Sequence, residues 1–312
     1  ECCEARDAGV NLVGEVDALR AEDLLLPVGE SCHGGPPFVG MDRGDVSQLF
    51  ATRQLGSILP FTATTPARSN GNPSCVGGAD TMTGMASAPA AFDASRMLSF
   101  DLETTSVNPL EARIVTSALV RIDGREVTAN ETLADPGVEI PEAAAAVHGI
   151  STEKARAEGR PHDEVLRETV DAIKQAWDDG LTLIVFNAPY DLSVLRALTG
   201  DFTVTGPVFD PLLIDRARDR YRKGKRNLGA LCEHYGVRLD NAHEATSDAM
   251  AAARIAWKQV RKVWPELAEM DTDELMEYQA VENYRIQTDL KKWLESRGRD
   301  ASNVNMGWPM VG

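Results

Sequence analysis

Two carboxylates one residue apart, Asp101 and Glu103 in "LSFDLETT", close what reads as a buried strand. Strand positions i and i+2 point to the same face, so the two project side by side. Asp191 stands at the start of a helix after the apolar run "LTLIVFN", and "HEATSDAM" sets His243 and Asp248 five apart at another helix start. Strand ends and helix starts at the edge of an open α/β sheet are where ligands bind. Four carboxylates converging there would raise each other's pKa values unless cations neutralised them. Hard oxygen donors in that number suit Mg²⁺ or Mn²⁺, not zinc. Two such ions about 3.5–4 Å apart can clamp the attacking and leaving oxygens of a phosphodiester displacement. Histidine ordinarily titrates near neutral pH, so His243 is the candidate to take a proton from the attacking water.

Each piece alone is common. The Asp101–Glu103 pair also fits a solvated strand end or an acid/base pair, and Asp271 with Asp273 reads as a solvated helix start. His33, His162 and His234 read as structural. The ordered combination is the specific signal.

These residues need a scaffold. "RMLSFDLE", "ARIVTSALVRIDG" and "REVTANETLADPG" read as three strands in an antiparallel meander, broken by turn residues. "IPEAAAAVHGI" is a short helix stopped by Gly149, and Ser151 opens the next. Val165, Leu166, Val170, Ile173 and Trp177 recur at helical spacing. "LTLIVFN" suits a central strand covered on both faces. "DLSVLRALTG" is a helix, "PVFDPLLIDRARDRY" a short strand then a helix, and "NLGALCEHYGV" and "TSDAMAAARIAWKQVRKVW" two further helices. Strands followed by strands alternating with helices imply an α/β sheet domain. The expected organisation is a low-complexity extension over 1–94, a domain over 95–265, and a C-terminal helix and tail over 266–312.

"FDLETT", "NAPYD" and "HEATSD" resemble the three sequence motifs of the DEDDh 3′–5′ exonucleases, a family that includes the proofreading epsilon subunit of bacterial DNA polymerase III, ribonuclease T and oligoribonuclease. "DPGVEIPEAAAAVHGIS" resembles the epsilon-type members. The resemblance covers roughly residues 96 to 262. It implies a ribonuclease-H-like fold, a mixed sheet flanked by helices. It also implies that Asp101, Glu103, Asp191 and Asp248 hold two Mg²⁺ ions, with Mn²⁺ as a substitute, and that His243 is the general base. Thr104 and His148 are then expected near the terminal nucleotide, with Asn187 and Tyr190 in the substrate-binding set. Ser106 stands where Gly is usual and Tyr190 where Phe is usual; neither change removes a metal ligand.

The activity so implied is removal of nucleoside 5′-monophosphates from single-stranded or frayed 3′ ends, DNA favoured over RNA, in proofreading, repair or replication. The rivals are an RNA exonuclease in RNA turnover and a non-catalytic nucleic-acid or polymerase-binding module. The formal net charge of −16 does not exclude a nucleic-acid partner, because a local basic stripe can grip phosphates. "DRARDRYRKGKRN" offers one, with Arg222 and Lys225 as expected phosphate contacts and a solvated helix face as the plainer alternative. The C-terminal helix carries Leu275, Tyr278, Val281, Tyr284, Leu290 and Trp293, expected to pack back onto the domain, with docking of a polymerase subunit as the alternative.

No stretch approaches the ~18 uncharged apolar residues of a membrane span. The 5 cysteines have no metal-ligand spacing, which makes a reducing cytoplasm the default location. Residues 1–94 lack lysine and are rich in Gly, Pro, Ser and Thr. They read as disorder or sequence upstream of a natural start, with a tether as the alternative.

Overall fold

The computed structural model describes residues 91–311; the expectations for residues 1–90 lie outside the described residues. Strand β1 (Arg96–Thr104) pairs antiparallel with β2 (Ile114–Asp123), and β2 with β3 (Glu126–Asp135). The parallel strands are β4 (Arg160–Pro161) beside β3, β5 (Thr182–Val185) beside β1, and β6 (Val208–Phe209) beside β5. The sheet order is β4-β3-β2-β1-β5-β6. This is a mixed sheet, with the antiparallel meander and the later parallel apolar strand that the sequence implies. The two-residue β4 was not expected from the sequence, because so short a strand carries no periodicity.

Among the described residues, eight α-helices accompany these strands: α1 (Glu142–His148), α2 (Thr152–Glu158), α3 (His162–Asp178), α4 (Ala188–Thr199), α5 (Pro211–Arg218), α6 (Leu228–Tyr235), α7 (Ala245–Lys258) and α8 (Thr272–Ser296). The strand alternation of β1 divides the core. Leu98, Phe100 and Leu102 face one apolar layer with Val165, Val170 and Ile173 of α3 and Leu192 of α4. Met97 faces the other layer with Ala118 and Val120 of β2 and Ala245, Ala249, Ala252, Ala253 and Ala256 of α7. An alanine stripe lets the α7 backbone lie close on the sheet, and the buried Ser99 hydroxyl fastens it by donating to the Ala249 carbonyl at 2.6 Å. Asp101 and Glu103 continue this same face, at the end of β1 where α7 begins.

One expected boundary shifts. Phe92 and Ala94, assigned to the low-complexity extension, are buried in the core, and Phe92 stacks on Phe209 with ring centroids 5.0 Å apart. Two apolar side chains in a Ser/Ala-rich stretch give no period to read. Helix α8 packs through Leu275, Met276 and Tyr278 and leaves Val281, Tyr284, Leu290 and Trp293 exposed. Its buried Gln279 closes the edge of the sheet: Oε1 accepts from Asp210 N–H and Nε2 donates to Val208 O, each at 2.8 Å. An edge strand otherwise presents unpaired backbone groups. Asp271 and Glu274 form a capping box at the start of α8, and Asp273 lies in its first turn, in keeping with the helix-start reading of Asp271 and Asp273.

Asp210 is buried between two helix starts. Its Oδ1 accepts from Leu212 and Leu213 N–H at the start of α5, at 3.0 and 3.1 Å. The same carboxylate accepts from Asn187 and Ala188 N–H at the start of α4, both at 3.1 Å. The first amides of a helix have no partner within it, and one side chain here satisfies two sets. Asp210→Ala strands four amides in the interior and should lower unfolding stability by about 2–4 kcal/mol. A denaturant titration checks this; an unchanged midpoint would contradict the shared cap.

Candidate active site

The site grows from the end of β1. Asp101 pairs in register with Ala118 and Glu103 with Thr116, after which the register slips at Thr104. A slip of this kind ends regular pairing and re-aims side chains beside it. Pairing with β5 stops at Phe100–Val185, so the next amide on that edge, Leu102 N–H, needs another acceptor. Asp191 supplies it, its Oδ1 accepting at 3.2 Å. Asp191 lies in the first turn of α4, which Asp210 holds, and is close enough for its charge to interact with those of Asp101 and Glu103.

The third contributor is the start of α7. Asp248 Oδ2 accepts from His243 N–H at 3.2 Å, a bond that ties the histidine to the carboxylate five residues on. Donor atoms of Glu103, His243 and Asp248 lie within 4.8 Å of one another. Asp248 Oδ1 is buried and has no hydrogen-bond partner. His243 and Asn187 are the non-glycine residues with left-handed backbone among those described, at φ 68° and 67°. Such conformations cost energy and persist where the surroundings impose them.

Electrostatics mark the cluster. Burial, then the charges of Asp191, Glu103, Asp248 and Glu131, drives the Asp101 carboxyl well above the usual carboxylate range. Burial also raises Asp191, against the Leu102 amide that favours its charged form. Glu103 is pushed up to about 7 by burial, with Asp248 and Glu131 adding to it. Burial raises Asp248 as well, opposed by the His243 amide. Carboxylates so destabilised, with one buried oxygen left unpartnered, have the chemistry of a set that receives hard cations. These residues fit a divalent ion.

The expected substrate-binding residues divide. The Thr104 hydroxyl contacts the Tyr190 hydroxyl and donates to the Ser106 carbonyl at 3.1 Å, and Tyr190 also donates to that carbonyl. The two positions that depart from the motif pattern are therefore joined. His148 is half-buried; its Nδ1 accepts from Ile150 N–H at 3.2 Å and its Nε2 is buried without a partner. Burial holds its pKa below the usual histidine value. Asn187 is exposed at the head of α4.

The basic stretch needs correction at Arg222. Its guanidinium donates to the fully buried Asp215 at 2.7 Å, and Arg226 bonds the same carboxylate. Tyr235 O–H donates to the other oxygen at 2.7 Å. A buried carboxylate needs such partners, so Arg222 is spent on Asp215. Lys225 remains exposed. The structural reading of His162 agrees with its place, buried, with Nε2 accepting from Ile114 N–H at 3.2 Å.

The molecule is an α/β domain whose mixed sheet carries an acidic cluster at the end of β1. Residues 98–256 match the family described as Exonuclease, and the chain belongs to that family. It is 34% identical over 169 residues to a DNA polymerase III subunit epsilon-like protein of Rhodobacter capsulatus, covering 49% of this chain and 22% of that protein. It is 29% identical over 198 residues to a PolC-type DNA polymerase III of Clostridium perfringens, covering 62% of this chain and 13% of that one. The chain thus spans less than a quarter of these curated relatives. The E. coli exonuclease I structure in complex with a dT13 oligonucleotide aligns at 20% identity and TM-score 0.47, over 56% of this chain and 43% of that one.

The raised carboxyls set a pH dependence. Each titrates higher in the folded protein than in an unfolded chain, so the native state binds more protons between the ordinary carboxylate range and about 7 for Glu103. Stability of the metal-free protein then falls as pH rises through that window. Thermal unfolding should show Tm dropping from about pH 5 to about pH 8, with Mg²⁺ or Mn²⁺ restoring more at the higher pH. A Tm that holds level, or a cation effect that shrinks with pH, would contradict this.

Proposed function

We propose that this protein is a DEDDh-type 3′–5′ exonuclease that removes nucleoside 5′-monophosphates from single-stranded or frayed DNA. The observation that carries the reading is the gathering of Asp101, Glu103, Asp191 and Asp248 within mutual electrostatic reach beside His243. Membership of the Exonuclease family supports it, and the epsilon-like and PolC-type names of the relatives favour DNA as substrate and a DNA polymerase subunit as partner.

Asp101, Glu103, Asp191 and Asp248 would hold two Mg²⁺ ions, which when bound supply positive charge to the scissile phosphate and the leaving oxygen. His243 takes a proton from the attacking water. It is exposed, so it can pass that proton to solvent and reset between cycles. The water oxygen bonds to phosphorus, the P–O3′ bond breaks, and the leaving 3′ oxygen takes a proton from solvent to become the new hydroxyl of the shortened strand. Asp248 acts a second time, because its grip on the His243 amide fixes the loop that presents the base.

Thr104 and Tyr190 form one wall beside the acidic cluster, their hydroxyls joined at the Ser106 carbonyl. His148 adds a donor. With Nδ1 accepting from Ile150, the neutral ring carries its proton on Nε2, which has no protein partner. Asn187 and Lys225 complete the proposed contacts with the strand.

The test uses single-stranded DNA and RNA of the same sequence labelled at the 5′ end, with Mg²⁺ and with EDTA. The expected result is a ladder shortening from the 3′ end of the DNA, with 5′-monophosphates released and none in EDTA. His243→Ala should lower kcat by roughly 10²–10⁴-fold, and Asp101→Ala or Asp248→Ala should abolish cleavage while circular dichroism stays native. Retained cleavage in either aspartate variant would sink the mechanism; faster cleavage of RNA would move the protein to RNA turnover.

A further inference from the structure

Helix α7 begins without a side-chain cap from its own N-cap residue, Glu244. The Glu244 carboxylate is engaged elsewhere, accepting from Asn241 Nδ2 at 2.9 Å and Ser247 O–H at 3.3 Å. Yet this helix start carries two of the five site residues, with His243 just before it and Asp248 in its first turn. Its free amides need an acceptor.

The acceptor comes from the sheet. Glu131 Oε2 accepts both the backbone N–H of Thr246, at 3.0 Å, and the Thr246 hydroxyl, at 2.6 Å. Glu131 is far away in sequence, in the middle of β3. The register explains the reach: Asp101 pairs with Ala118, and Ala118 pairs with Glu131. The three side chains form one row across the sheet on the face that α7 covers. Ala118 in the middle is small enough to leave the row open. Neighbouring strands lie about 4.7–4.9 Å apart, so two inter-strand spacings put Glu131 roughly 10 Å from Asp101. Glu131 is placed to hold α7 and not to serve as a ligand beside Asp101.

We infer that Glu131 is a positioning residue, a cap supplied from β3 that fixes the start of α7 and through it His243 and Asp248. It acts as a hydrogen-bond acceptor. This rests on the exonuclease reading for its kinetic consequence, but the cap itself is a property of the apo protein. A one-ångström misplacement of a reacting group can cost about 100-fold in rate. Loss of this cap should therefore appear in kcat and not in KM, because no substrate contact is removed.

The experiment compares Glu131→Ala, Glu131→Gln and the parent protein by amide hydrogen exchange without metal and by single-strand cleavage with Mg²⁺. Gln keeps an acceptor oxygen and loses the charge. The expected result for Glu131→Ala is faster exchange at Thr246 and Ser247, and a kcat lower by roughly ten- to a hundredfold at near-constant KM. Glu131→Gln should restore slow exchange and most of kcat. Parent-like exchange at Thr246 in Glu131→Ala would overturn the cap. Equal loss of kcat in both variants would overturn it too, since charge and not acceptance would then be the contribution. A parent protein that cleaves nothing would defeat the exonuclease reading alone; the exchange comparison would still decide the cap.

Discussion

Carboxylates forced together away from water repel one another, and each is also penalised by its own desolvation. The end of β1 combines both effects, with Asp101 and Glu103 on one strand and Asp191 and Asp248 brought in by two helices. Burial is the larger contribution for all four. A fold that holds such a cluster must supply rigidity from elsewhere, because the cluster by itself favours opening. Much of the surrounding architecture supplies that rigidity.

The means is repeated. Helix starts and strand ends expose amides that need acceptors, and each acceptor found here also aims a site residue. Asp191 takes the Leu102 amide where β5 pairing ends, Asp248 takes the His243 amide, and Asp210 takes four amides at the starts of α4 and α5. Glu131 does the same from β3 for Thr246. Behind these polar contacts, the alanine stripe of α7 and the Ser99–Ala249 bond set the distance between helix and sheet. The left-handed backbone at Asn187 and His243 is the strain that remains.

The sequence makes some of this legible and hides the rest for definable reasons. Asp101, Glu103, Asp191, His243 and Asp248 stand out because short-range spacing on a strand or at a helix start is enough to place them. The helical period of Val165 to Trp177 and the Gly stops after α1, α4 and α6 are equally local. Asp210 was visible only as the break between a short strand and a helix, although Asp-Pro at a helix start is a capping signal. Its second task, at α4, depends on β5 and β6 being neighbours. Glu131 is one of several polar residues on an exposed strand, and nothing but register distinguishes it. Arg222 looked like a phosphate contact because its partner, Asp215, becomes inaccessible only after folding. Phe92 sits in a stretch whose composition outweighs its one aromatic ring.

The cluster is strained by crowded, desolvated carboxyls and relaxed by cations. Proton release on metal binding tests it most directly. Carboxyls that hold protons near neutral pH must give them up to bind a cation. Calorimetric titration of the metal-free protein with Mn²⁺ at about pH 7, in buffers of different ionisation enthalpy, counts the protons released. Net release of roughly one proton or more is expected, growing as pH is lowered towards 6 and reduced in Glu103→Gln. Binding with no proton release at either pH would contradict it, as would a protein that binds no Mn²⁺.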